Sequence, residues 1–104
     1  MIFQLTCEPS TASASTNWTS DVDQTSASYA TTNAPAFNDW VRGSPSPVKR
    51  CFDTASALQS PTDRTKWASD GTNDKYTSDG VHAAQFGYLQ VANSQTIDIR
   101  AFNR

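Results

Sequence analysis

Residues 1–6 read MIFQLT, a short apolar run that predicts a buried β-strand ended by Pro9. The run VKRCF at residues 48–52 predicts a second short strand. Between them the apolar residues follow a rough helical spacing from about Ser28 to Arg42. Pro35 interrupts this stretch and is favoured in the first turn of a helix, so the helix is predicted from about Pro35 to Arg42. The order strand, helix, strand predicts that the two strands are parallel neighbours in an α/β layer.

The rest of the chain carries weaker patterns. Residues 10–28 have no apolar period and predict a long surface loop, while the tail at 96–102 predicts a weak strand. A last helix is predicted from Val81 or His82 to about Ala92. Two parallel strands cannot cover both faces and both edges of a sheet, so the predicted fold class is α/β with a partial doubly wound sheet. Three residues of the last helix are predicted to face inward: Phe86, Leu89 and Ala92.

The composition indicates one small domain, residues 1–104, with a thin core. Only 37% of the residues are hydrophobic, and we interpret Trp18 and Trp67 as lids over that core. The formal net charge of −2 and the scattered basic residues argue against nucleic-acid binding. No apolar run approaches the roughly 20 residues that a bilayer span needs, and the start lacks the basic region of a signal peptide. We therefore expect a soluble chain with no membrane partner.

The most specific segment is YTSDGVHAAQFGY at residues 76–88. It closely resembles the last conserved block of the SGNH (GDSL-type) ester hydrolases, in which an Asp-Gly-x-His turn opens the final helix. In that family the aspartate and the histidine complete a Ser-His-Asp triad, and the matching residues here are Asp79 and His82. The spacing fits this role, because the carboxylate can orient one ring nitrogen while the other faces substrate. The simpler interpretation is a helix cap beside a solvated histidine.

Upstream segments are similar to the same family. Residues 37–42 resemble its penultimate helix, residues 49–57 its last strand, and the opening MIFQLTCEP the strand before that. The resemblance implies a flavodoxin-like, SGNH-type parallel sheet and a hydrolase of small esters that needs no cofactor. The Ser-Asp-Gly of the motif also occurs at residues 69–71, but two triplets do not make a structural repeat.

The nucleophile motif of the family is missing from the sequence. The Gly-Asp-Ser serine and the Gly and Gly-x-Asn-Asp oxyanion contributors all belong to the first half of the family fold. The chain therefore resembles the C-terminal half of an SGNH hydrolase, truncated before residue 1.

Cys7 is a candidate to replace the serine. It follows the first predicted strand, and Asp79 and His82 are expected at the same carboxyl end of the sheet. The three residues make either a Cys-His nucleophilic pair or a three-ligand zinc site with a position open for water. Alternatively, Cys7 is a small buried apolar residue. A disulfide with Cys51 is disfavoured, because the two cysteines lie near opposite ends of neighbouring strands.

Three functions remain open from the sequence. The first is a small hydrolase of carboxyl or phosphoryl esters that uses metal-bound water or Cys7 in place of the serine. The second is an inactive fragment that associates with itself, and the third is one half of a split enzyme. In each case the unpaired edge at residues 2–5 predicts a homo-oligomer, most simply a dimer, that completes the partial sheet.

Overall fold

Two short parallel strands form one of two small sheets in the computed structural model, which describes residues 2–15, 17–71 and 75–103. Together with the helices around them they form a small mixed α/β domain. The elements in chain order are β1 (Ile2–Leu5), β2 (Thr11–Ser13), β3 (Gln24–Ser26), α1 (Ser28–Arg42), β4 (Val48–Phe52), α2 (Thr54–Leu58), α3 (Gln85–Ser94) and a C-terminal 3₁₀ helix (Ile99–Asn103).

Strands β1 and β4 are the two strands predicted from their apolar runs. They pair in parallel, with Phe3 opposite Arg50 and Leu5 opposite Phe52. Helix α1 lies in the connection between them, so the prediction of a parallel pair joined through a helix is confirmed. Met1, the first residue of the predicted strand, lies outside the described residues. Within the described ranges, this parallel sheet consists of β1 and β4 alone.

An aromatic cluster joins the sheet to the C-terminal 3₁₀ helix. Phe3 and Phe52 stack with their ring centroids 5.6 Å apart, and the Phe102 ring lies 4.5 Å from that of Phe3. The strand predicted for the C-terminal tail is therefore wrong. Asp98 accepts the backbone N–H of Arg100 at 3.0 Å, and this local bond turns the chain into a helical turn instead of a strand.

Helix α1 has 15 residues and is nearly twice as long as the helix predicted from Pro35 to Arg42. It begins at Ser28, so Pro35 lies inside it and not in its first turn. A proline in the interior removes a helix hydrogen bond, but Pro35 is buried on the same helix as Ala30 and Val41. Burial of this apolar face stabilises the helix despite the proline in its interior. A rule that considers only the proline cannot predict this tertiary stabilisation.

The predicted surface loop at residues 10–28 instead contains a small antiparallel sheet of β2 and β3. Its interior is polar. The buried Gln24 side chain accepts a hydrogen bond from the Thr11 hydroxyl at 3.1 Å and from the Trp67 backbone N–H at 2.9 Å. Its amide nitrogen in turn donates to the Trp67 carbonyl at 3.1 Å. Because an amide network replaces apolar side chains, the segment shows no hydrophobic period.

Trp67 belongs to a hydrophobic core cluster that is separate from the aromatic cluster, and it is not a lid over a thin core. It is completely buried together with Leu58, and Ala83, Tyr76 and Val91 pack around them. Trp18, the other predicted lid, is also buried. This cluster joins α2 and α3 to the segment that contains the Asp-Gly-x-His motif.

Helix α3 begins three or four residues later than predicted. It starts at Gln85 because residues 79–83 form a separate turn, closed by a bridge between Thr77 and Ala83. The later start changes the buried face: Leu89 is exposed, whereas Val91 packs against the core. Ala92, also predicted to face inward, is exposed. None of the helices in the described ranges is long and apolar enough to cross a bilayer.

Candidate active site

Asp79 and His82 form a hydrogen-bonded pair on the surface. His82 Nδ1 lies 2.8 Å from Asp79 Oδ2. The other carboxylate oxygen, Oδ1, accepts the backbone N–H groups of Val81 and His82, each at 2.8 Å. The carboxylate is therefore fixed by the turn that it closes, and both of its oxygens are used. The sequence prediction that these two residues meet is consistent with this geometry, but His82 precedes helix α3 and does not open it.

The turn that carries the pair is anchored to the core through Gly80. The Gly80 carbonyl accepts the Trp67 indole N–H at 2.8 Å and the Thr11 backbone N–H at 2.9 Å. Gly80 has a φ of 81°, and a Cβ there would overlap the Thr11 carbonyl and the Trp18 ring. Glycine is therefore required at this position both by the backbone conformation and by the close approach of β2.

Each member of the pair stabilises the charged form of the other. The backbone N–H and the side chain of His82, followed by the N–H of Val81, hold the pKa of Asp79 well below its usual range. The hydrogen bond and the charge of Asp79 raise the pKa of His82 above 6.5. When Asp79 accepts a hydrogen bond from the Nδ1–H group, the neutral ring carries its lone pair on Nε2. The His82 side chain is 77% exposed, so this nitrogen is accessible to substrate.

Glu8 is a second carboxylate beside the pair, and the sequence analysis missed it. It lies just after β1 and is partly buried, and burial raises its pKa. The backbone N–H of Ala83 and the charge of His82 act in the opposite direction and lower that pKa. Glu8 therefore brings the carboxyl end of β1 close to the Asp79–His82 turn. The position directly after a parallel strand is the sequence signal that could have identified it.

Cys7 lies at the same end of β1, and its environment differs from one of the predictions made for it. The residue is exposed, so the interpretation as a small buried apolar residue is wrong. Its backbone is fixed by Asn38, whose amide accepts the Cys7 N–H at 2.6 Å and donates to the Cys7 carbonyl at 3.0 Å. Cys51 is partly buried, and both cysteines are free thiols, not a disulfide.

Asp79 and His82 are brought together by the structure, but not with Cys7 as a set of metal ligands. Among the residues that the structure describes, no group of three or more histidine, cysteine, aspartate or glutamate side chains is arranged to hold a metal ion. The charges that act on His82 come from Asp79 and Glu8. The zinc site predicted from Cys7, Asp79 and His82 therefore stays a prediction that needs rearrangement or a further ligand.

Asp53 directly follows the carboxyl end of β4, and its contacts indicate a structural role. Its carboxylate accepts two hydrogen bonds from the Arg42 guanidinium, at 2.8 and 2.9 Å. It also accepts the Thr6 hydroxyl at 3.2 Å. Burial opposes the ionised form, but the Arg42 bonds and charge lower the pKa of Asp53 overall. Because its oxygens are occupied, Asp53 fixes α1, β1 and β4 together and is not a candidate acid or base.

Comparisons with models of protein families, with curated proteins and with solved structures found no match to this chain.

Proposed function

We propose that this chain supplies the Asp79–His82 general-base pair of an ester hydrolase acting on carboxyl or phosphoryl esters. The observation that carries the proposal is the 2.8 Å contact between Asp79 Oδ2 and His82 Nδ1. Two backbone N–H groups fix the same carboxylate, and the ring remains open to solvent. This is the arrangement in which a carboxylate orients an imidazole for proton transfer, and it matches the resemblance of residues 76–88 to the SGNH hydrolases.

In the proposed reaction His82 moves a proton in both directions. The neutral imidazole accepts the proton of the attacking group at Nε2, and Asp79 stabilises the imidazolium that results. The same proton is then given to the leaving alkoxide, which departs as the alcohol. The pair is therefore regenerated within one cycle without any change in the protonation of Asp79.

We favour Cys7 as the nucleophile that this chain supplies. Its thiol is exposed at the end of β1, next to Glu8, whose charge acts on His82. Transfer of the thiol proton to His82 gives a thiolate that attacks the ester carbon, and a thioester forms as the alcohol leaves. Water activated by His82 then hydrolyses the thioester, which returns the free thiol and releases the acid.

Water bound to a metal ion is the alternative nucleophile. Asp79 and His82 offer an oxygen and a nitrogen to a zinc ion, which typically takes at least three protein ligands in catalytic sites. The missing ligand would have to come from a movement of Cys7 or from a second copy of the chain. A zinc ion would lower the pKa of its bound water toward neutrality.

The experiment is a screen of p-nitrophenyl carboxyl esters and phosphoesters with the wild-type chain and five variants. We expect His82→Ala to lower hydrolysis by about a hundredfold or more, and Asp79→Asn to lower it substantially. Asp70→Asn is the matched control for Asp79→Asn, because it changes the same residue in the other Ser-Asp-Gly triplet, and it should leave the rate unchanged. Full activity in His82→Ala would place the site elsewhere in the chain.

The same assay distinguishes attack by the Cys7 thiol from attack by metal-bound water. Cys7→Ala should abolish turnover if the thiol attacks, with Cys51→Ala as the control cysteine. Loss of activity with a chelator and recovery with zinc would instead assign the reaction to metal-bound water. If no ester is hydrolysed under any of these conditions, the chain is an inactive fragment or one half of a split enzyme.

We also propose that self-association completes an SGNH-type sheet. The support is the outer edge of β1, where Ile2 and Leu5 are exposed at 44% and 46%. Exposed strand edges with apolar side chains favour pairing with another chain. A two-fold dimer that buries this edge also gives closed symmetry.

Light scattering tests the dimer directly. We expect a mass of about twice 11.3 kDa for the wild-type chain and a monomer for Leu5→Lys. Val22→Lys is the control, because Val22 is 85% exposed outside the parallel sheet. A folded wild-type monomer at micromolar concentration would refute the dimer.

A further inference from the structure

Thr77 lies directly beneath the Asp79–His82 turn and is completely buried. Its hydroxyl donates to the His82 carbonyl at 2.7 Å and accepts the Gly80 N–H at 2.9 Å. The same oxygen is 3.4 Å from Asp79 Oδ1. One buried hydroxyl therefore contacts the backbone on both sides of Val81 and also approaches the carboxylate.

These contacts use the proton and one of the two lone pairs of the hydroxyl. A threonine hydroxyl has one proton and two lone pairs, and the shortest contact assigns the proton to the His82 carbonyl. A lone pair receives the Gly80 N–H. The bond to the carbonyl fixes the backbone from which the imidazole projects, and the bond to Gly80 fixes the backbone next to Asp79.

The need for such an anchor follows from the exposure of the pair. Asp79 and His82 have side-chain exposures of 52% and 77%, and an exposed ion pair in water holds its geometry weakly by itself. Trp67 and Thr11 also anchor the turn, but both bind it at the Gly80 carbonyl. Thr77 is the side chain that connects the Gly80 N–H with the His82 carbonyl.

We propose that Thr77 is a positioning residue for the Asp79–His82 pair, whose hydroxyl sets the distance between the carboxylate and the imidazole. This inference rests on the proposed function for its effect on catalysis. It also makes a prediction about the histidine itself, which can be measured in the absence of any substrate.

The test compares Thr77→Val, which keeps the shape but removes the hydroxyl, with Thr77→Ser, which restores the hydroxyl. His82 is the only histidine of the chain, so an NMR titration reports on this ring without assignment ambiguity. The charged groups that act on the ring are Asp79 and Glu8, and neither is changed. We expect the pKa of His82 to fall in Thr77→Val and to return to the wild-type value in Thr77→Ser.

Hydrolysis provides a second readout. In Thr77→Val we expect kcat to fall by about tenfold to a hundredfold, the scale of a misplaced catalytic group, with little change in KM. Thr77→Ser should recover most of the wild-type rate. If the wild-type chain hydrolyses no ester, the proposed function fails while the titration still decides the role of Thr77.

A matched control separates positioning from stability. Ser60 is also buried, and its hydroxyl donates to Asp21 at 2.5 Å in another part of the chain. Ser60→Ala should therefore destabilise the fold without moving the pKa of His82. If Thr77→Val and Ser60→Ala lower stability equally and both leave that pKa unchanged, the positioning role is refuted.

A folding failure would also decide the question. Should Thr77→Val not fold, Thr77→Ala removes the hydroxyl without added bulk and carries the same prediction. If neither variant folds while Thr77→Ser does, the hydroxyl is required for folding, and the claim of a separate positioning role is overturned.

Discussion

The tripeptide Ser-Asp-Gly occurs twice, at residues 69–71 and 78–80, and the two copies have very different surroundings. Both glycines have a left-handed backbone, with φ of 79° at Gly71 and 81° at Gly80. A Cβ added at Gly71 meets nothing within 4 Å among the described residues, whereas at Gly80 it overlaps a carbonyl and an indole ring. The same tripeptide makes an open turn in one place and a tightly packed turn in the other.

The difference arises from residues that are distant in sequence. At the second triplet, Trp67 and Thr11 bind the Gly80 carbonyl, and the Asp79 carboxylate binds His82. At the first triplet, the charge of Asp70 adds to burial in raising the pKa of Tyr76. Asp79 and His82 form a candidate site because the core holds their turn in place.

The largest expected effect is on stability, when alanine replaces each of the two glycines. Gly80→Ala should lower the free energy of unfolding by about 3 kcal/mol or more, because the strain of positive φ adds to a steric overlap with backbone. Gly71→Ala should cost only the backbone strain, about 1 to 2 kcal/mol. Urea denaturation of both variants measures the difference, and equal losses would mean that the turn at Gly80 is not tightly packed.

A smaller effect is expected from the indole that binds Gly80. Trp67→Phe removes the N–H donor from a buried carbonyl and some packing volume, so we expect a loss of about 2 kcal/mol. Trp40→Phe is the control, since Trp40 is 56% exposed and should change stability little. Chemical denaturation monitored by circular dichroism compares the two, and a similar small change in both would contradict the anchoring role of Trp67.

Patterns of apolar residues predicted the parallel pair of β1 and β4 correctly. Each strand is a compact run of residues bounded by proline or a charged residue, which is what local rules recognise. The same rules failed for β2 and β3, where the interior is the buried amide of Gln24. They also placed the start of helix α3 too early, since the residues predicted to begin the helix belong to the turn that follows Asp79.

The candidate site was predictable only in part. The spacing of Asp79 and His82 predicted their contact, because three residues across a turn bring the two side chains together. The spacing does not identify Glu8, whose sequence signal is its position after β1, and no sequence signal identifies Thr77. Their roles depend on how the end of β1 and the segment before Asp79 approach the same turn, which is a property of the tertiary fold.

The smallest expected effect is the pH dependence of stability. The lowered pKa of Asp79 means that its contribution is present above pH 3.8 and is lost as the pH falls. The raised pKa of His82 means that its contribution is present below pH 6.5 and is lost as the pH rises through the folded value. The pair therefore stabilises the fold most between these two values.

This window can be measured with Asp79→Asn. The stability difference from wild type should be largest near about pH 5.5 and smaller at about pH 9, where His82 is neutral in both states. Part of the stability difference between wild type and Asp79→Asn remains at high pH, because Asp79 also accepts two backbone hydrogen bonds. The pH-dependent part of the difference is small, because solvent screens the exposed pair. Asp70→Asn should not show the same profile, and a pH-independent difference for Asp79→Asn would contradict the pairing.

The most direct test of the central claim is the NMR titration of the single histidine in wild type, Asp79→Asn and Asp70→Asn. If Asp79 holds the imidazole as a general base, the pKa of His82 lies above 6.5 in wild type, falls in Asp79→Asn and is unchanged in Asp70→Asn. A wild-type His82 that titrates at or below its ordinary value, or that responds equally to both substitutions, would contradict the account.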